Sequence, residues 1–261
     1  MNKMKKMMFA VIASLFAAVT YAAGVASANI VGYAQTSLLK NTYSKFIAPQ
    51  FGNIGNTKQD IDIQSIRPTD INGASDGVFL SFLDSLGGTK VTYSWVNWAT
   101  DPNSGEAVAG WADDNFELAK GVTMSPGDAV WVQCNFENQA IQSAGQVPNM
   151  DVKVQLSRNT GSISLGNSTP IAIDIQDIMP ESIEECSGYV FLSFLDGLGG
   201  TRATYSWVDW ATDPISGKTV TGWADNNFEF VRGVAINPGE GVWVQCNRDD
   251  DQYIIVPGVD L

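Results

Sequence analysis

Hydrophobic and polar residues alternate in short runs along most of the chain, and no long stretch repeats with the period of a helix. In the first half, four such runs are rich in aromatic and β-branched residues: 78–83, 90–98, 129–135 and 139–143. Alternation with this composition is typical of half-buried β-strands. Residues 60–66 fit either a strand or a short helical turn that ends before Pro68.

Glycine and proline mark turns between these runs. Gly87-Gly88 separates two of the runs, as the turn of a β-hairpin would. Pro126-Gly127 marks a second turn, because proline fixes its own φ and glycine adopts positive φ without steric cost. The pattern therefore predicts an all-β fold of short strands joined by tight turns.

The chain contains one sequence twice. A shift of 112 positions aligns residues 61–135 with residues 173–247 without a gap, and 49 of the 75 aligned positions are identical. The segment FLSFLD, for example, occurs at residues 79–84 and again at residues 191–196. Such identity at a fixed offset is the signature of an internal duplication.

The duplication also indicates where each module begins and ends. Upstream the offset becomes 118, because the second copy lacks six residues, and downstream it becomes 113. We therefore divide the chain into a segment 1–28, a module 1 at 29–148 and a module 2 at 149–261, with the boundary near Pro148. A module of about 115 residues is long enough to close its own core. This predicts two tandem homologous β-sandwich or small-barrel modules, with one sheet running through both as the alternative.

Residues 1–28 have the organisation of a secretory signal peptide. Three lysines are followed by an apolar, alanine-rich run at residues 9–22 and by Ala-Ser-Ala at residues 26–28, which fits a signal-peptidase site. The run is short for a membrane span, so an uncleaved anchor is the less favoured alternative. We expect cleavage before Asn29 and a secreted protein that is periplasmic, cell-surface or extracellular.

The chain is strongly acidic, with 28 aspartates and glutamates against 15 lysines and arginines. Its formal net charge is −13, and cleavage before Asn29 would remove three lysines and no acid and so change the charge to −16. Nucleic acid and anionic membrane surfaces attract proteins through Lys and Arg, so neither is expected as a partner, and no membrane insertion is expected. The acidity favours solubility outside the cell, with cation binding as the alternative.

Three cysteines are too few for the kind of disulfide scaffold that replaces a core in small secreted domains. Cys134 and Cys246 occupy the same position in the two copies, whereas Cys186 takes the place of Ala74. A cysteine added in one copy predicts a bridge between Cys186 and Cys246. Packing of the modules about a pseudo-twofold axis would favour a bridge between Cys134 and Cys246 instead.

Tryptophan is the most prominent candidate for contact with a ligand, because all eight tryptophans lie in the repeat, four in each copy. Side chains alternate along a strand, which predicts Trp95 on one face and Val96 and Trp98 on the other, with at least one tryptophan of each pair in the core. Exposed rings can stack on the apolar C–H faces of sugars, whereas buried rings fill the modules and their junction. Both interpretations stay open for the full set: Trp95, Trp98, Trp111, Trp131, Trp207, Trp210, Trp223 and Trp243.

The sequence holds no histidine, which excludes Ser-His-Asp and Cys-His catalysis and histidine-bound metals. Acidic residues recur at equivalent positions of the two copies: Asp84, Asp101, Asp113 and Glu117, then Asp196, Asp213, Asp225 and Glu229. Paired carboxylates can hydrolyse glycosidic bonds when a cleft holds them a few ångströms apart. Nothing in the sequence marks such a cleft, so we assign no catalytic residue and keep a glycoside hydrolase as a distant alternative.

Residues 101–106 superficially resemble a calcium-binding loop, with oxygen ligands at alternate positions before a glycine. In the second copy Ile215 and Lys218 replace an asparagine and a glutamate, which removes one ligand and adds a positive charge. The segment is therefore better interpreted as a turn. Asp113 and Asp225 are the weak metal candidates that remain, so no cofactor is expected, with calcium as the minor alternative.

The start of the mature chain reads Ile-Val-Gly-Tyr at residues 30–33, and a strand near its end reads Pro-Gly-Glu-Gly-Val-Trp-Val at residues 238–244. These motifs resemble a loose group of uncharacterised secreted bacterial β-repeat proteins, which combine an Ile-Val-Gly-Tyr start with Pro-Gly-x-x-x-(Trp/Phe)-Val strands. The resemblance implies an exported β protein and carries over no functional residue. In this chain only module 1 has the Ile-Val-Gly-Tyr start.

Two non-catalytic functions of different classes remain after these exclusions. The first is a structural or assembly role outside the cell, as a matrix, coat or fibre component that self-associates into a homo-oligomer through exposed sheet edges. The second is carbohydrate binding by a tandem module whose two copies gain avidity from being linked. Glycan binding predicts that equivalent tryptophans are exposed in both copies.

Overall fold

A computed structural model describes residues 31–39, 43–48, 53–54, 57–58, 60–135, 138–146, 151–159 and 161–259. The predicted signal peptide and the predicted module boundary at Pro148 lie outside these ranges. Within the ranges, the structure contains no helix that is long and apolar enough to span a lipid bilayer.

The described part of module 1 consists of short strands and one turn of 3₁₀ helix. The strands are β1 (Val31–Leu38), β2 (Tyr43–Ile47), β3 (Asn53–Ile54), β4 (Thr57–Lys58), β5 (Ile61–Asp62), β6 (Arg67–Pro68), β7 (Val78–Leu83), β8 (Thr89–Thr100), β9 (Ala107–Ala112), β10 (Thr123–Met124), β11 (Val130–Cys134) and β12 (Gln139–Gln146). The 3₁₀ helix Ile63–Ser65 begins after Asp62, whose side chain accepts the Gln64 N–H at 2.8 Å. The ambiguous segment before Pro68 is thus a short helical turn between two strands.

Module 2 repeats this series of elements. Its strands are β13 (Val152–Gln155), β14 (Ser162–Gly166), β15 (Ile173–Asp174), β16 (Met179–Pro180), β17 (Val190–Leu195), β18 (Thr201–Thr212), β19 (Thr219–Ala224), β20 (Ala235–Ile236), β21 (Gly241–Cys246) and β22 (Tyr253–Val256). The 3₁₀ helix Ile175–Asp177 follows β15. The all-β prediction is confirmed for both halves of the chain.

The strands of the two modules pair in the same order. In module 1 an antiparallel five-stranded sheet has the order β2-β11-β7-β8-β9, a three-stranded sheet has the order β1-β12-β6, and β10 pairs with β5. Module 2 has the corresponding orders β14-β21-β17-β18-β19, β13-β22-β16 and β15-β20. The six residues that module 1 has in excess lie between Ala48 and Ile61, where β3 and β4 form an additional ribbon.

A hydrophobic core joins the five-stranded and three-stranded sheets of each module. In module 1, Leu80 and Val132 of the larger sheet belong to one buried cluster with Leu38 and Ile141 of the smaller sheet. The corresponding cluster of module 2 contains only residues between 152 and 256. Each module is therefore a small β-sandwich around its own core.

A glutamine side chain covers the outer edge of each five-stranded sheet. Gln64 Nε2 donates to the backbone oxygens of Trp111 and Ala119 at 2.8 and 3.1 Å, and its Oε1 accepts the Trp111 N–H at 3.0 Å. Gln176 makes the same three hydrogen bonds in module 2. The amide thus occupies backbone groups of β9 and β19 that another strand would need for pairing.

The modules meet where β2 and β14 end. The Ala48 N–H donates to the Gly239 carbonyl oxygen at 3.0 Å, and the Gly166 N–H donates to the Gly127 carbonyl oxygen at 2.8 Å. Ala48 and Gly166 are equivalent positions of the repeat, as are Gly127 and Gly239, so each bond is the counterpart of the other. This reciprocity relates the two modules by a pseudo-twofold axis.

The two larger sheets stay separate across this junction. Isolated β-bridges join Ile47 to Glu240 and Leu165 to Asp128, and these two bridges are again equivalent. They connect the end of one edge strand to a residue within two positions of the start of β11 or β21 in the other module. One continuous sheet through both modules, the alternative from the sequence, is therefore not the observed arrangement.

At the pseudo-twofold axis, each pair of equivalent residues has room for the methyl group of one alanine and not for two. Ala48 faces Gly166, and a Cβ added to Gly166 would collide with the Ala48 Cβ and lie 2.6 Å from the Asp128 carbonyl oxygen. Ala129 likewise faces its equivalent Gly241, where an added Cβ would lie 2.6 Å from the Ala129 Cβ. The modules are therefore complementary at the axis and not interchangeable.

An ion pair crosses the junction on one side of the axis. Lys45 Nζ bonds to Glu240 Oε1, with the two side chains 27% and 24% exposed. Ile163 and Asp128 stand at the equivalent positions, so the other side cannot form this pair. Burial acts to raise the pKa of Glu240, but hydrogen bonds from Lys45 and Asn237 outweigh it, and the pKa lies below its ordinary value of 4.5.

Replacing Gly166 by alanine should destabilise the protein. The added methyl group overpacks the junction, and overpacking of this kind costs about 1–3 kcal/mol. Ala48→Gly in the same chain should recover part of the loss, because it removes one of the two groups that crowd position 166. Urea unfolding of wild type, both single variants and the double variant measures this coupling. A double variant no more stable than Gly166→Ala alone would contradict the predicted contact.

The ion pair between Lys45 and Glu240 should make stability depend on pH in the acid range. A carboxyl group whose pKa is lowered by folding stabilises the fold above its unfolded-state pKa, and this contribution is lost as the pH falls through the folded-state pKa. Glu240→Gln should therefore be less stable than wild type at neutral pH. The difference between their urea midpoints should shrink as the pH falls below 4.5. A difference that stays constant into strong acid speaks against this assignment.

Candidate functional site

Four of the eight candidate tryptophans lie in the cores: Trp95, Trp111, Trp207 and Trp223. They are at most 2% exposed. The indole N–H of Trp111 donates to the Ile66 carbonyl oxygen at 2.7 Å, and that of Trp95 donates to the Ile71 carbonyl oxygen at 3.1 Å. Their rings form T-shaped pairs, with centroids 5.3 Å apart in module 1 and 5.5 Å apart in module 2. Ligand contact is thereby limited to the other four tryptophans.

A β-bulge turns Trp98 towards solvent. The pairing of β8 with β9 shifts between Val96 and Ala99, so Asn97 and Trp98 together oppose a single residue of β9. Val96 and Ala99 consequently join one small buried cluster. Strict alternation, which placed Val96 and Trp98 on the same face, is wrong at this point because of the bulge. The same shift in module 2 exposes Trp210.

Each exposed tryptophan lies against a phenylalanine from a neighbouring turn. The ring centroids of Trp98 and Phe116 are 4.6 Å apart with an interplanar angle of 40°, and those of Trp210 and Phe228 are 4.4 Å apart at 46°. All four side chains are between 42% and 49% exposed. We call these two pairs the exposed aromatic pairs. Neither phenylalanine was recognised from the sequence.

The backbone at these phenylalanines has a left-handed conformation, with φ at +60° for Phe116 and +59° for Phe228. The Phe116 N–H donates to the Asp113 carbonyl oxygen at 2.9 Å, and the Asp113 N–H donates to the Glu117 carbonyl oxygen at 3.0 Å. This is a β-turn followed by one left-handed residue, a position that usually holds glycine. A bulky side chain in this conformation is strained by about 1–2 kcal/mol.

The same module builds an equivalent turn with glycine in the left-handed position. In the hairpin between β7 and β8, Gly87 has φ at +83°. Its N–H donates to the Asp84 carbonyl oxygen at 3.1 Å, and the Asp84 N–H donates to the Gly88 carbonyl oxygen at 2.8 Å. The chain can therefore close this type of turn with glycine, and closing the turn does not by itself require Phe116.

A groove of about 630 Å³ lies at the junction of the modules and is lined by Trp131 and Trp243, the equivalent residues of β11 and β21. Gly199 lies beside Trp131 and Gly87 beside Trp243, where an added Cβ would be 3.7 and 3.3 Å from the indole. Phe46 contacts both indoles, with ring centroids 4.8 Å from Trp131 and 5.8 Å from Trp243. We call this site the junction groove.

The recurrent aspartates hold their own turns together. Asp113 Oδ1 accepts the N–H groups of Asn115 and Glu117 at 2.9 and 3.0 Å, and Asp225 forms the equivalent bonds. Asp84 has the same role in the hairpin after β7. Among the residues that the structure describes, no three acidic or cysteine side chains converge on a position for a metal ion.

A basic side chain of the protein pairs with the first aspartate of the loop that resembles a calcium site. Lys120 Nζ lies 2.6 Å from Asp101 Oδ2, and Arg232 lies 3.3 Å from Asp213 in module 2. The hydrogen bond from Lys120, followed by that from the Asn103 N–H, lowers the pKa of Asp101. The carboxylate oxygens that calcium would need are thus already bonded to basic side chains and backbone N–H groups of the protein.

The three cysteines are buried, and none forms a disulfide in the structure. Cys186 Sγ instead donates a hydrogen bond to Gln252 Oε1 at 3.1 Å. Burial raises the pKa of Cys186 to about 12, so the group stays protonated and able to donate. The bridge between Cys186 and Cys246 stays a prediction.

Module 1 lacks the hydrogen bond that this additional cysteine makes in module 2. Gln139 is the equivalent of Gln252, and Ala74 is the equivalent of Cys186. Gln139 Oε1 is buried and has no hydrogen-bond partner. An unsatisfied buried acceptor costs about 1–3 kcal/mol, which gives Cys186 a structural role independent of a disulfide.

Comparisons of the chain with protein-family models, with curated proteins and with solved structures gave no match. Function therefore has to be inferred from the chemistry of particular sites. The exposed aromatic pairs and the junction groove are two places where tryptophan rings of the repeat face solvent.

Ala74→Cys should stabilise the protein, because it supplies module 1 with the donor that Gln139 lacks. The reverse change, Cys186→Ala, should destabilise it by about 1–3 kcal/mol, because Gln252 then loses its donor. Urea unfolding in the presence of a reductant measures both effects without a contribution from disulfides. Loss of stability in both variants would show that the thiol is not the missing donor.

Proposed function

We propose that this chain is an exported, non-catalytic carbohydrate-binding protein with one equivalent site in each module. The observation that carries the proposal is the strained, solvent-exposed phenylalanine that each module holds beside an exposed tryptophan. Strained backbone conformations of this kind cluster at active sites and ligand-binding sites. Expected export would place the sites among external glycans.

The chemistry around the exposed aromatic pairs fits sugars. The faces of Trp98 and Phe116 offer apolar area to the C–H faces of a pyranose ring. Asn97 and Asn115 are exposed beside them, on the bulge and on the turn. Amide groups supply both donors and acceptors for sugar hydroxyls. An aromatic platform with a few polar groups at its rim is the usual composition of a small-ligand site.

The charge of the protein narrows the ligand class. A chain with a net charge of −13 repels polyanions and other copies of itself. Neutral glycans carry no charge, so they approach such a surface without this penalty. The edges of β9 and β19 are also occupied by Gln64 and Gln176, which removes sites for strand-to-strand assembly. Both features support a neutral glycan over self-association.

Two linked sites increase the affinity for a repeating polymer. Binding at one module raises the effective concentration of the polymer at the other, so avidity exceeds the affinity of either site. Individual sites can then be weak, as shallow aromatic platforms are. The duplication has a direct use under this proposal, since two modules bind one chain better than one module.

Replacing Phe116 and Phe228 together by asparagine should strongly reduce glycan binding without unfolding the protein. Asparagine tolerates the left-handed conformation better than phenylalanine does, so the turn is kept while the ring is removed. We expect binding on a glycan array and to insoluble polysaccharides to fall at least about tenfold, which corresponds to a loss of about 1.4 kcal/mol of binding free energy. Urea unfolding checks the fold.

Ile215→Asn is a matched control for this experiment. Ile215 is 82% exposed in another turn of module 2, and module 1 has asparagine at the equivalent position. The Ile215→Asn variant should bind glycans like wild type. Unchanged binding by the variant with both phenylalanines replaced would rule out the exposed aromatic pairs as the glycan sites.

A structural or assembly role is the second candidate, and one observation favours it. Leu86 and Leu198 are 83% and 81% exposed at the tips of equivalent hairpins, which gives each module an apolar contact point. If they mediate assembly, sedimentation should show self-association that Leu86→Asn with Leu198→Asn removes. Concentration-dependent assembly without binding to any glycan would favour this role over the proposed one.

A further inference from the structure

The junction groove has an unusual composition for a protein of this charge. The chain carries 28 acidic residues, yet none of the described residues that line this groove has a charged side chain. Its polar lining consists of hydroxyl and amide groups: Thr89, Ser193, Thr201, Thr204 and Gln245. A neutral polar wall beside two indoles matches a ligand that has hydroxyl groups and apolar faces but no charge.

The aromatic part of the groove is held in place by contacts across the junction. Phe46 of β2 packs edge-on against Trp131 of its own module and stacks on Trp243 of the other at an interplanar angle of 17°. A stacked ring on one side restricts an indole to few orientations, which lowers the entropy lost on binding. Both modules contribute, so neither could form this site alone.

The polar groups of the groove keep capacity for further hydrogen bonds. Ser193 Oγ and Thr204 Oγ1 are 2.9 Å apart, and a pair of hydroxyls that share one hydrogen retains a second hydrogen and several lone pairs. Gln245 Nε2 donates to Asn247 Oδ1 at 3.0 Å, which uses one of the two hydrogens of its amide group. Such groups are suited to sugar hydroxyls and ill suited to a lipid chain.

We infer that the junction groove is a third binding site, which takes a segment of a neutral polysaccharide. The inference rests on the proposed function for its ligand class but depends on different residues. A groove of about 630 Å³ is within the size range of small-ligand sites. Together with the exposed aromatic pairs it gives the chain three contact points, of which the central one requires the intact pair of modules.

The test blocks the groove in the full chain with substitutions that do not change the packing of Phe46, Trp131 and Trp243. Thr89 and Thr201 are exposed positions at equivalent ends of β8 and β18, so Thr89→Arg with Thr201→Arg should place long side chains in the groove without unfolding the protein. Thr123→Arg, at an exposed position of β10 outside the groove, is the matched control. Urea midpoints of all variants verify that the fold is intact.

The probes are neutral hexasaccharides of glucose, mannose and xylose, with hexagalacturonate as the charged comparison, titrated by calorimetry. In a chain with Phe116→Asn and Phe228→Asn, we expect residual binding of a neutral hexasaccharide. The two arginines should weaken this residual binding at least tenfold, whereas Thr123→Arg should leave it unchanged. That result supports the groove as a site separate from the exposed aromatic pairs.

Other results distinguish failure of the groove from failure of the proposed function. No residual binding without the phenylalanines, or residual binding that the arginines leave unchanged, overturns the groove and keeps the proposed sites. Binding lost through the arginines but unaffected by removal of the phenylalanines supports the groove and overturns the exposed aromatic pairs. Absence of binding to every neutral probe, or stronger binding to hexagalacturonate, overturns the neutral-glycan assignment for both.

Discussion

The close approach of the two modules at the pseudo-twofold axis is the constraint on which the rest of the arrangement depends. Where β2 and β14 end, the backbones exchange hydrogen bonds, and there is room for one methyl group at the pair Ala48 and Gly166. Packed surfaces of this kind have one favourable fit and do not slide continuously. The junction groove follows from that fit, because each hairpin lies over the tryptophan of the other module. A duplication that left both copies identical would have produced either a clash or a void at the axis.

The junction also divides the aromatic surface into an inner and an outer part. Trp131 on β11 and Thr89 at the start of β8 line the junction groove. Trp98 lies near the other end of β8 and belongs to an exposed aromatic pair. Tryptophan surfaces are thus present both at the junction and away from it. An extended polymer is the kind of ligand that can use contact points distributed in this way.

Local features of the fold could be predicted from the sequence, and features created by pairing between strands could not. The predicted run 78–83 matches β7 at both ends. Its alternation and the turn residues on either side of it are local features of the sequence. The exposure of Trp98 depends on a register shift against β9, which alternation within β8 does not reveal. The junction depends on residues more than a hundred positions apart, such as Ala48 and Gly166. The turn at Phe116 could have been recognised from the sequence. It begins with Asp113, just as the hairpin turn that ends at Gly87 begins with Asp84.

Agreement between the two copies is weak evidence of function by itself, because a recent duplication also preserves neutral positions. The strain at Phe116 and Phe228 changes this argument. The left-handed conformation costs about 1–2 kcal/mol, whereas an aromatic contact such as that with Trp98 contributes about 0.5–1.5 kcal/mol beyond area burial. These two terms nearly cancel, which leaves burial of the covered part of the ring as its stabilising contribution. Glycine at the same position of the neighbouring hairpin shows that the chain can build this turn without strain. The exposed part of each phenylalanine ring is the part that the proposed glycan would contact.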